Sequence, residues 1–93
     1  MASSSETFER FSKWKNSRTP LKVTVIERGQ PEDTYSGRID TTDSVAGLVG
    51  ICIGVKSYRT FDVGDAVFSI EPDRVVVARD DVEWLVFEEE VEE

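Results

Sequence analysis

Gly37 stands at the centre of an alternating run, Tyr35, Gly37 and Ile39, within the stretch TYSGRIDTT. Alternation of this kind marks a strand with one buried face. Glycine inside a strand costs stability, because it has no side chain to pack and more backbone freedom to lose. A sharp bend, or another backbone passing close by, explains its presence there. A strand that bends sharply belongs to two halves of one curled sheet. Gly37 is therefore expected at the bend of a small barrel.

The rest of the chain agrees with strands. Valine occurs 13 times and isoleucine five times, against three leucines and four alanines. β-branched side chains favour the pleated conformation over the helix. LKVTVIE sets Leu21, Val23 and Val25 on one face and Lys22 and Thr24 on the other, a half-buried strand. RGQPED turns the chain, and TYSGRIDTT is the second strand. SVAGLVGICIGV, 44–55, is apolar on both faces, which fits a central strand or an edge strand covered by another subunit. KSYRTFDVGD carries a turn, Val63-Gly64-Asp65. AVFSI and RVVVAR are strands joined by the tight turn EPD. Asp80-Asp81 is short enough for a hairpin into VEWLVF, an added last strand, and EEEVEE is a charge run with nothing to bury it.

The start of the chain differs. SSSETFERFSKWKNSR predicts a helix over 3–18. Ser3 and Glu6 have the spacing of a capping box, and acids suit a helix start. Phe8, Phe11 and Trp14 recur every third residue and form an aromatic stripe, while Arg10, Lys13 and Arg18 lie largely off it. The stripe fits packing on the sheet. It also fits a basic-aromatic surface for phosphate or membrane. Asn16-Ser17 and Pro20 mark the end. The chain is thus expected to be one domain over 1–93: helix 3–18, barrel 20–79, and an added strand with acidic tail over 80–93.

Composition removes several chemistries. There is no histidine and only one cysteine, Cys52. A disulfide framework, a Cys/His zinc site and histidine-assisted hydrolysis are excluded. Asp40, Asp43, Asp62, Asp65 and Asp73 lack calcium-loop spacing and are expected as solvated turn residues. No metal, cofactor or enzymatic activity is expected. The beginning lacks signal-peptide layout, and no apolar run approaches the roughly 20 residues that span a bilayer. A soluble, cytoplasmic protein without membrane contact is expected. The net charge of −8 is uneven: residues 1–28 hold six cations against three acids, and residues 29–93 hold five against sixteen. Excess acid disfavours nucleic acid, with the basic start as the local exception.

The stretch PLKVTVIERGQPEDTYSGRIDTTDSVAGLVGI resembles the first sequence motif of the Sm and Sm-like RNA-binding proteins. GDAVFSIEPDRVVVAR is similar to the second in layout, and the resemblance spans about residues 7–79. It implies a five-stranded SH3-like barrel with an N-terminal helix. It also implies a homo-oligomeric ring, of five to eight subunits, closed by pairing the fourth strand of one copy with the fifth of the next. Gly37 matches the bent-strand glycine, and Asp43 matches the aspartate that orients the binding loop. Val45 stands where an aromatic often stacks on a base, and Gly47 where an asparagine reads it. Glu71-Pro72 replaces the usual arginine and glycine, with Arg74 close by. The fold pattern is kept and the RNA-contact residues are mostly replaced.

Independently of that resemblance, Val67, Val75, Val76 and Val77 leave apolar groups on both faces of two strands. A partner subunit would cover them, and so would VEWLVF within the chain. The candidate nucleic-acid contacts are Arg74, Lys13, Lys15, Arg18 and Lys22, with Asp43 and Gly47 in the loop. The expected activity is weak, salt-dependent binding of RNA or single-stranded DNA by a non-catalytic ring. A structural or adaptor oligomer of phage or scaffold type is the alternative, as is a small-anion binder. The latter follows from the likeness of FDVGDAVFSIEPDRVVVA to the closing strands of oligomeric molybdate-binding barrels. A shared surface for Lys13, Lys15, Arg18 and Lys22 would favour nucleic acid, and scatter would favour the structural oligomer.

Overall fold

A computed structural model describes residues 3–54, 57–80 and 82–90. The expected hairpin residue Asp81 and the last three residues of the acidic tail lie outside the described residues, as do Val55 and Lys56.

Ser3 caps the first element, α1 (Ser4–Ser17), its hydroxyl accepting from the Glu6 amide at 3.1 Å. This is the hydroxyl half of the expected capping box, and it satisfies one of the free amides of a helix start, while the Glu6 carboxylate accepts from the Ser3 hydroxyl at 3.4 Å. At the other end Thr19 N donates to Trp14 O at 3.1 Å, and Arg18 N to Lys15 O at 3.3 Å. Arg18 closes this cap in the left-handed region, φ 53°, a place where glycine is usual. Phe8, Phe11 and Trp14 are all buried, so the stripe is core.

β1 (Leu21–Glu27) and β2 (Gln30–Asp43) form a hairpin through Arg28 and Gly29, φ 54° and 77°. Two successive positive φ values give the turn that matches strand twist. The turn is shorter than the expected RGQPED, because β2 resumes at Gln30. Pro31 is tolerated because it faces Ile26 at a register shift, on the half of β2 that pairs with β1 alone. β2 pairs with β1 up to Gly37, opposite Leu21, and with β3 (Leu48–Ile53) from Arg38, opposite Cys52. The change of partner falls at the glycine. A Cβ on Gly37 would overlap the carbonyl oxygen of Cys52.

β4 (Ser57–Asp62) follows β3, and β5 (Val67–Glu71), β6 (Arg74–Arg79) and β7 (Val82–Glu89) come after it. The sheet is antiparallel, in the order β4-β3-β2-β1-β7-β6-β5. This corrects the expected five-stranded closed barrel: the described residues form a helix on an open sheet of seven strands. Two things open it. VEWLVF is no appendage, since β7 lies between β1 and β6 and keeps RVVVAR from reaching β1. Val63-Gly64-Asp65 is the expected turn, but SYRTFD before it is a strand where none was expected. Its residues are exposed except for half-buried Phe61, so burial imposes no apolar alternation on it.

The sheet curls over its core nevertheless. Phe61 of β4 meets Phe87 of β7 at 6.2 Å and Trp84 at 6.4 Å between ring centroids. The Arg79 guanidinium donates to Asp62 O at 2.8 Å. Cross-strand partners Val23, Phe87 and Val75 are fully buried in one row, and Phe11 sits 5.0 Å from Phe87. The acidic tail starts inside this sheet: Glu88 faces Lys22 and Arg74, and Glu89 faces Leu21. Backbone pairing accepts any side chain that points to solvent, which is why a charge run is a strand end here.

Candidate functional site

Asp43 ends β2 and shapes the loop to β3. Its Oδ1 accepts from the amides of Val45, at 3.1 Å, and Ala46, at 3.0 Å. Its carbonyl accepts from Gly47 N at 2.9 Å. This is the local folding that aspartate brings to turns. Gly47 O in turn accepts from Val63 N at 2.8 Å, tying the loop to the β4–β5 connection. Asp62 Oδ1 steadies that connection through Gly64 N at 3.1 Å. Val45 projects from the loop, 98% exposed. An aliphatic tip offers no ring for base stacking.

Gly47 has a structural role that its sequence position concealed. Its φ is +72°, and a Cβ would lie 2.6 Å from Gly64 Cα. Gly47→Ala is expected to destabilise the fold by about 2 kcal/mol, read as a lower urea midpoint. An unchanged midpoint would show that the two loops do not touch.

The basic candidates do not line one cleft. Lys22 Nζ lies 3.9 Å from the Glu88 carboxylate, and Arg74 Nε 2.9 Å from that of Glu71. Lys13 lines a cleft with Glu6, Glu9, Arg10 and Ile70, where acids offset it. Arg10 donates to the carbonyls of Glu71 and Pro72, at 2.8 and 3.2 Å. Lys15 and Arg18 do come together, in a different cleft that Arg38 completes. Arg38 escaped notice in the sequence. Its signal was its place beside Gly37, on the opposite side of the strand from buried Ile39. Phe11 and Trp14 offer no open stacking face, being 0% and 3% exposed, although the Arg10 guanidinium lies over the Trp14 ring at 5.5 Å.

No group of three His, Cys, Asp or Glu side chains suited to a metal occurs among the described residues. No helix among them is long and apolar enough to cross a membrane. The outer edges of β4 and β5 have no partner strand among the described residues, and each strand carries an exposed apolar side chain, Tyr58 at 61% and Val67 at 46%. No protein-family model, curated protein or solved structure matches the chain.

Proposed function

We propose that this chain is a non-catalytic, self-associating module, a structural or adaptor oligomer whose copies join β4 of one to β5 of the next. The two open sheet edges carry this reading. Natural edge strands avoid association through lysine, proline or bulges. Neither SYRTFD nor VFSIE contains lysine or proline. VFSIE carries a charge only at its end, Glu71, and SYRTFD carries Arg59 and Asp62. The pairings that hold these strands, β3–β4 and β5–β6, run without a register shift. Only strand ends are engaged: Glu71 O of β5 accepts from Arg10, and Asp62 O of β4 from Arg79. Repeating one head-to-tail interface closes a ring when the rotation per copy allows, and the likeness of Gly37 and Asp43 to Sm-like proteins favours roughly five to eight copies.

The scatter of the cations favours this role over an RNA-reading one. Val45, Gly47 and Glu71 offer no stacking, base-reading or phosphate contact, and a net charge of −8 repels a polyanion at long range.

Sedimentation velocity across a concentration series tests the proposal. The wild type is expected to sediment well above its 10.5 kDa mass. Val67→Lys and Tyr58→Lys are each expected to return it to monomer with an unchanged circular dichroism spectrum, because a charged side chain on an edge resists pairing. A wild-type monomer at high concentration would overturn the proposal.

A further inference from the structure

We propose that the cleft between the end of α1 and the β2–β3 pair binds a phosphate group. It is lined by Lys15, Arg18, Arg38, Ile39, Asp40 and Cys52 and encloses about 350 Å³. Three cations from two separate elements meet there against a single acid. Asp40 sits at the register shift of β2, and its carboxylate accepts from the Thr41 hydroxyl at 3.3 Å. None of the three cations has an ion-pair partner among the described residues.

That grouping is opposite to what composition would give. Acids outnumber cations 19 to 11, and elsewhere Lys22, Arg74, Arg10 and Arg79 are held by carboxylates or carbonyls. Three like charges around one cleft repel until an anion neutralises them. Two arginines supply planar donor forks that match tetrahedral phosphate oxygens, and a lysine adds a point charge. The volume accepts a phosphate with a small organic group or a second phosphate. The phosphate comes from a small phosphorylated molecule or from a single-stranded nucleic acid backbone, and the chemistry of the cleft is the same for both.

Cys52 provides the probe. It is the only cysteine, it is half-buried, and it lines this cleft beside Arg38. The measurement is its alkylation rate by neutral iodoacetamide, with pyrophosphate or a short single-stranded oligonucleotide added, against sodium chloride of equal ionic strength. Saturating ligand is expected to slow alkylation about fivefold or more, and the protection is expected to fade between about 20 and 200 mM salt.

Arg18→Gly and Arg38→Gln are expected to abolish protection, and Lys13→Ser to retain it. Arg18→Gly also keeps the test free of misfolding, because glycine suits the left-handed cap and the variant should melt no lower than wild type. Protection by pyrophosphate at the lower phosphate concentration identifies a small phosphorylated ligand. Protection by the oligonucleotide at the lower concentration identifies a nucleic acid backbone. Rates equal to the sodium chloride control for both, or full protection surviving in Arg18→Gly and Arg38→Gln, would overturn the proposal.

Discussion

Gly37→Val is expected to lower stability by about 3 kcal/mol in urea unfolding, whereas Gly50→Ala should change it by less than about 1 kcal/mol. Strand propensity alone predicts the opposite sign for Gly37, since valine is among the best strand formers. Close approach of backbone decides the matter. A Cβ at Gly37 overlaps the Cys52 carbonyl oxygen, with the Cys52 carbonyl carbon at 3.1 Å and Ile53 Cα at 3.4 Å. All three atoms are main chain, so no side chain can swing aside. Relief would have to move β3 away from β2 at the pair Arg38↔Cys52, where β2 has just changed partner. Gly50 meets only ordinary contacts, Thr41 Cβ at 3.5 Å and Thr60 Oγ1 at 3.6 Å. A neutral Gly37→Val would mean that the two halves of the sheet do not meet at this residue.

The features legible in the sequence are those decided by neighbours along the chain. Ser3 and Glu6 fix the helix start because a cap is a contact across three residues. Gly37 could be read because a glycine inside a strand itself signals that another backbone passes close, though not which one. Asp43 could be read because an aspartate turn is a local act of backbone geometry. The β5–β6 hairpin was legible for the same reason, with Pro72 and Asp73 as its turn.

What escaped is long-range or leaves no pattern. β4 is exposed on nearly every residue, so selection for burial wrote no alternation into SYRTFD. The row Val23, Phe87 and Val75 closes the middle of the sheet, yet alternation marks each strand without naming its neighbour. Gly47 resembled a base-reading position that had lost its side chain. Its tight approach to Gly64 lies across a loop–loop contact that spacing cannot reveal. Arg38 joins Lys15 and Arg18 only because α1 ends beside the point where β2 changes partner. The candidate site was therefore half visible: two of its cations were named, in a group that the fold then divided.

Phe11→Ala is expected to cost about 4 kcal/mol, a fall in melting temperature of roughly 20 °C. Phe11 is fully buried. Its ring stands perpendicular to Phe8 at 5.5 Å, tilted on Trp14 at 6.2 Å and on Phe87 at 5.0 Å. Truncation removes the transfer energy of a large side chain and leaves a cavity lined by three aromatic rings that cannot collapse freely. A domain of this size has about 5–15 kcal/mol in all, so the loss takes a large share. The comparison is Lys13→Ser, on the same helix but exposed, which should stay within about 0.5 kcal/mol of wild type. The pair separates two roles for the aromatic stripe. An open stacking platform would lose ligand affinity on Phe11→Ala while keeping its melting temperature. A helix pinned to the sheet loses stability first, and circular dichroism should then show helix and sheet melting in one transition, because Phe11 and Phe87 belong to the same core. Helix signal lost in a separate, earlier transition would show that α1 only rests on the sheet, and the cleft formed by Lys15, Arg18 and Arg38 would then have no fixed wall.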